Sequence, residues 1–135
     1  MAGYSATPLP KKLGIKEQFR VCFVGLPPEV ETELKSALAS CRAAKGRESV
    51  DFAMIFAKTG VDLERNFARL SPRLAAAGML WVSWPKKASG VSTDLSEDRV
   101  RQVGLRAGLV DIKVCAVNDV WSGLKFVIPV KNRRS

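Results

Sequence analysis

Three times along this chain, a short run of β-branched and aromatic residues with almost no charge gives way to apolar residues at helical spacing. Of all its features this alternation most constrains the fold, because a period of two and a period of 3.6 residues bury different faces and cannot be exchanged. Arg20-Val-Cys-Phe-Val-Gly25 reads as a buried strand that stops at Gly25, Pro27 and Pro28. Val30, Leu34, Ala37, Leu38 and Cys41 follow as one helical face, with Glu29, Glu31 and Glu33 where the helix dipole favours carboxylates; Gly46 ends the segment. Val50 to Ala57 is a second strand, and Leu63, Phe67, Leu70 and Leu74 form a second helical stripe. Ser71-Pro72 predicts a kink or a fresh start in that helix, with Ser71 as cap, Pro72 as first helical residue and Gly78 as the stop.

Met79 to Trp84 is the third strand, and a polar loop, 85–93, follows. Asp94 with Glu97 reads as a capping pair for a third helix through Val100, Val103 and Ala107, ending at Gly108. Val110, Ile112, Val114 and Ala116 then alternate with more polar positions, Asn118 to Gly123 makes a turn, and Leu124, Phe126 and Ile128 form a last strand closed by Pro129. Strand and helix in this order imply a parallel sheet with helices on both faces and right-handed crossovers. The last two strands, joined by a short turn, are antiparallel. The expectation is an α/β, three-layer Rossmann-like sandwich on a five-stranded, mostly parallel sheet. A length of 135 residues suits one domain with a real core. Its boundaries are an N-terminal arm, 1–19, the α/β domain, 20–130, and a basic tail, 131–135.

The chain has no histidine, which removes any Ser-His-Asp triad, Cys-His pair or His-ligated metal made from its own residues. The net charge of +9 sits mostly at the ends. Lys11, Lys12, Lys16 and Arg20 against Glu17 place +3 in the first twenty residues, and Lys131, Arg133 and Arg134 place +3 in the tail. Such ends read first as solvated arms and second as a weak polyanion footprint, since a nucleic-acid face spreads its basic residues along an element or among aromatics. Sequence-specific nucleic-acid recognition is not expected. Cys22, Cys41 and Cys115 are far apart and odd in number, and the N-terminus has no apolar leader. The longest apolar run, Leu74 to Val82, is too short to cross a bilayer, so a cytoplasmic protein with reduced thiols and no membrane partner is expected.

Two resemblances follow from these residues. Gly78-Met-Leu-Trp-Val-Ser-Trp-Pro-Lys-Lys-Ala-Ser-Gly-Val91, Thr93-Asp-Leu95 and Trp121-Ser-Gly-Leu-Lys125, with the opening Gly3-Tyr-Ser-Ala-Thr-Pro-Leu9 to Ile15, resemble a small bacterial family of unknown function, numbered 3052. The family name carries no activity. The element order, with Gly78, Ala107-Gly108-Leu109 and the final hairpin, also resembles a truncated class I methyltransferase fold. That resemblance implies the strand order 1-2-3-5-4 with the last strand antiparallel. It also implies where adenosylmethionine would sit: on a glycine-rich turn after the first strand, with an acidic residue at the end of the next. Here the turn is Gly25-Leu-Pro-Pro28, with one glycine and two prolines that lack backbone donors, and the interval to Val50 holds only one helix. A working methyltransferase is therefore not expected, and no cofactor is assigned.

No catalytic residue and no metal ligand emerges. Ser83-Trp-Pro-Lys86 matches S-x-x-K, but that pair needs a helix and Pro85 follows a strand. Ligands of open α/β sheets gather outside the carboxyl ends of the strands, where loop 85–93 lies. Lys86, Lys87, Ser89, Ser92 and Thr93 are brought to the start of the third helix, whose free N–H groups favour an anion. Gly90 allows close backbone approach, and Trp84 can wall a pocket there. The bland alternative is a solvated loop with an ordinary cap. The functional expectation is a non-catalytic module that binds an anionic small molecule or an acidic protein segment in this loop. A small enzyme using the same loop and a weak nucleic-acid binder are the alternatives.

Overall fold

In the computed structural model, residues 7–133 are described. Gly3 to Ser5 of the family-like opening and Arg134 of the tail lie outside them. Six strands form one mixed sheet in the order β2-β1-β3-β4-β6-β5. They are β1 (Arg20–Val24), β2 (Arg42–Ala43), β3 (Val50–Phe56), β4 (Leu74–Pro85), β5 (Val110–Ala116) and β6 (Trp121–Val127). The sheet has six strands where five were expected, so the five-strand order does not describe it whole; with β2 set aside, the other five lie in the relative order 1-2-3-5-4. The strand missing from the sequence reading is β2, two exposed residues paired in parallel outside β1. Two residues carry no hydrophobic period, so only main-chain bonds reveal it.

β1, β3 and β4 run parallel, and β6 lies antiparallel between β4 and β5. Helices α1 (Leu9–Leu13) and α2 (Pro28–Leu38) cover one face; α3 (Gly60–Leu70) and α4 (Glu97–Arg106) cover the other. The two-residue period of the strands sorts the core accordingly. Ala53, Ile55, Leu80, Val82 and Trp84 meet Leu63, Phe67 and Val100, whereas Phe52, Met54, Phe56 and Trp81 meet Leu9, Leu13, Val30 and Leu34. Burying one such aliphatic or aromatic side chain contributes about 1.5–3 kcal/mol. β3 is buried on both faces, which is why it reads as an almost unbroken apolar run.

Three local expectations are corrected. The second large helix does not continue to Gly78: it ends at Leu70, Ser71–Arg73 makes one 3₁₀ turn, and β4 already begins at Leu74. Gly78 is a strand residue, and a Cβ there would stand 2.7 Å from the Val50 carbonyl oxygen. Val50 pairs with Leu74 but Phe52 with Met79, so β4 bulges in between and Gly78 permits the close approach. Asp94 does not cap α4, whose cap is Ser96, accepting from the Arg99 N–H at 3.3 Å. The last strand begins at Trp121, before the expected Leu124, and Trp121 to Gly123 therefore belong to the sheet and not to the turn.

Candidate functional site

Because β1, β3 and β4 are parallel, their carboxyl ends share one edge, and the antiparallel β6 brings its first residue, Trp121, opposite Pro85 at the same edge. Three helices start there. Each N-terminus is an anion site by physics, since its first N–H groups have no helical partner. In this chain each is already filled or closed. α2 begins at Pro28 after Pro27, so two donors are missing, and Glu29 and Glu31 occupy its first turn. α3 is capped by Thr59, which accepts from the Asp62 N–H at 3.2 Å, and the Gly60 N–H donates to Asp94 Oδ1 at 2.8 Å. Asp94 therefore holds the place an external carboxylate or phosphate would take. α4 has its Ser96 cap and the carboxylates Glu97 and Asp98.

Between the ends of β1 and β3 lies an open hollow of about 580 Å³. Leu26, Pro27, Phe56 and Trp121 give it apolar walls; Lys58, Asp62 and Glu29 stand at its rim. Phe56 and Trp121 meet edge to face with centroids 5.2 Å apart. Gly25 has φ +69°, and a Cβ there would lie 2.9 Å from the Phe56 carbonyl oxygen. The glycine is thus needed for β1 to turn beside β3. Sequence reading missed Lys58, Asp62 and the role of Asp94; only the rule that ligands gather at strand carboxyl ends pointed to their neighbourhood.

Loop 85–93 is the second feature of this edge. Lys87–Ser89 forms a single 3₁₀ turn, and Gly90 follows with φ +77° and open space beside its Cα. The Ser89 hydroxyl donates to the Lys86 carbonyl at 2.6 Å and accepts from the Val91 N–H at 3.1 Å. Thr93 Oγ1 donates to the Lys58 carbonyl at 2.6 Å and accepts from the Leu95 N–H at 3.1 Å. Both hydroxyls fasten the loop to itself and to the β3–α3 turn. A hollow of about 270 Å³ brings together Trp84, Lys87 and Thr93 with Leu95, Ser96 and Glu97. Lys86, Ser89, Gly90 and Ser92 lie outside it. Trp84 is both core and wall: it is buried in the α3–α4 face and still lines this hollow. Among the described residues, the ammonium groups of Lys86 and Lys87 form no ion pair or hydrogen bond.

The sequence also holds, as Lys58-Thr59-Gly60, the K-T-G triplet that accompanies S-x-x-K, though not the S-D-N of the same signature. The geometry dismisses it. Ser83 is buried in β4 and its hydroxyl donates to the Ser122 carbonyl at 2.8 Å, while Thr59 caps a helix. Among the described residues no group of three Cys, Asp or Glu side chains is placed to hold a metal ion, and no helix is long and apolar enough to cross a membrane.

No protein-family model and no curated protein matches the sequence, so the resemblance to family 3052 is not confirmed. Solved structures do match. A fibrillarin from Aeropyrum pernix with natively bound S-adenosyl-L-methionine is 16% identical, with TM-score 0.51 over 93% of this chain and 70% of that one. A precorrin-6y C5,15-methyltransferase from Geobacter metallireducens is 10% identical, with TM-score 0.57 over 90% and 86% of the two chains. A TehB-like SAM-dependent methyltransferase from Corynebacterium glutamicum is 11% identical, with TM-score 0.56 over 95% and 91%. Likeness at such identities shows architecture alone, and that architecture is the α/β, Rossmann-like fold of the class I methyltransferases.

Proposed function

We propose that this chain is a binding module built on a methyltransferase-like fold, and that it takes an anionic small molecule or an acidic protein segment on loop 85–93. One observation carries the reading: among the described residues, Lys86 and Lys87 stand at the carboxyl edge with no ion pair or ammonium hydrogen bond of their own, and Lys87 lines an open hollow beside Trp84. A methyl donor of the kind named for the A. pernix structure has a carboxylate to place, and the β1–α2 turn here offers it missing N–H groups beside Glu29 and Glu31. The residues present do not fit that group. Glu97, which lines the hollow with Lys87, is already paired with Arg101 at 2.7 Å, so the lysine charge is left for a partner. Gly90 and Ser92 leave room for a partner's backbone, and the hollow beside Trp84 can take a side group.

Thermal melts of the full chain test this. Adenosylmethionine and adenosylhomocysteine are expected to leave the melting temperature unchanged. Acyl phosphates, nucleotides or acidic peptides that stabilise the protein are expected to lose their effect in the Lys86→Ala/Lys87→Ala variant. A shift with adenosylmethionine, or anion shifts indifferent to both lysines, would overturn the reading.

A further inference from the structure

Four lysines gather on the face of the sheet covered by α1. Lys12 lies on α1 and Lys16 just beyond it; Lys113 on β5 and Lys125 on β6 stand directly opposite each other in the antiparallel ladder. Like charges so opposed are destabilising. Among the described residues none of the four forms an ion pair, and Glu17, next to Lys16, forms none with them either. Two have structural employment: Lys12 Nζ donates to the Ala116 carbonyl and Lys113 Nζ to the Lys12 carbonyl, each at 2.9 Å, clasping α1 to β5. Lys125 has no such use. It is half-buried, its Nζ lies 3.7 Å from where a Cβ on Gly14 would stand, and no hydrogen bond satisfies it among the described residues. Burial, Lys113 and Lys16 together hold its ammonium below the usual lysine range, and no carboxylate opposes them.

We propose that Lys125, Lys113 and Lys16 form a second anion site, distinct from loop 85–93, for a multiply charged phosphate group. Its chemistry argues for phosphate over carboxylate. Ammonium groups are point donors that converge on a tetrahedral anion from several sides, whereas planar carboxylates are best held by the arginine fork, and the cluster has no arginine. Adjacent positive charges without counter-charge favour a di- or trianion over a monovalent ion.

The test uses pyrophosphate as probe in the Lys86→Ala/Lys87→Ala background, so that the loop site cannot contribute. Pyrophosphate is expected to raise the melting temperature by several degrees beyond sodium chloride of matched ionic strength. Adding Lys125→Met, which keeps the apolar stem, is expected to abolish that difference. Without anion, this variant should melt level with its parent or about 1–4 °C above it, since an opposed like-charge pair is gone. Equal shifts from the two salts, a pyrophosphate shift that survives Lys125→Met, or a variant that melts below its parent would each overturn the proposal.

Discussion

Gly104 sits in the last turn of α4, where glycine costs up to about 1 kcal/mol relative to alanine. The chain keeps it because the Phe126 ring occupies the space a Cβ would need, and that ring is itself set edge to face against Phe67 with centroids 5.5 Å apart. Neither aromatic can retreat without losing the other. Gly104→Ala is therefore expected to destabilise the protein by about 1–3 kcal/mol despite the better helix former, as read from urea denaturation. A variant as stable as the native chain would mean that the ring yields freely. The same scale explains why loop 85–93 was only half legible. Lys86, Lys87 and Gly90 could be placed at the carboxyl edge from sequence because a loop after a parallel strand must lie there. The inward bonds of Ser89 and Thr93 could not, because hydroxyl direction follows from loop geometry that no residue spacing encodes.

Among the elements, β2 is the shortest, and charge holds its end of the sheet. Arg42 donates to both carboxylate oxygens of Glu48, at 2.8 and 2.6 Å, and the Lys45 N–H donates to the same group at 2.7 Å. These bonds lower the Glu48 carboxyl from an ordinary 4.5 to about 2. Next to it, Asp51 is lowered in the same direction by the Arg20 guanidinium, which bonds it at 3.1 and 3.2 Å. A carboxyl whose folded value is depressed contributes stability above its ordinary value and loses that contribution as pH falls through the folded one. Melting temperature is thus expected to fall between pH 5 and pH 2, and Glu48→Gln should flatten that fall while melting lower at pH 7. Parallel pH profiles for the two proteins would sink this account. Strand β3 and the core of β4 were legible because burial on both faces leaves an apolar run, broken in β3 only by Asp51, and the half-buried β1 was legible as the uncharged Val21-Cys-Phe-Val24 before Gly25. The start of β4 was not. Leu74-Ala-Ala-Ala77 has strong helix propensity, and pairing with Val50 overrides it.

Taken whole, the molecule is fastened at its sheet face by a segment that sequence reading left as an arm. Leu9 and Leu13 are buried, and the indole N–H of the fully buried Trp81 donates to the Leu13 carbonyl at 2.9 Å. Trp81→Phe removes that donor and leaves space, at an expected cost of about 2–3 kcal/mol. Trypsin should then cut after Lys11, Lys12 or Lys16 well before the rest of the chain opens. An unchanged cleavage rate there would show that the indole does not hold the segment. Two of the charges assigned to the arm thereby gain a place: Lys12 and Lys16 belong to a folded face and not to a solvated tail.

The clasp between α1 and the far side of the sheet also sets an order of events during synthesis. Leu13 finds its partner 68 residues later, and Lys12 bonds a carbonyl 104 residues later. Domains are made from the N-terminus forward at about 5–20 residues per second. Helix α1 therefore leaves the ribosome several seconds before Trp81 and Ala116, and until they emerge it can lean only on α2, β1 and β3, with which it shares one core face. Its bonds to Trp81 and Ala116 are thus among the last to close, although the helix that makes them precedes both partners.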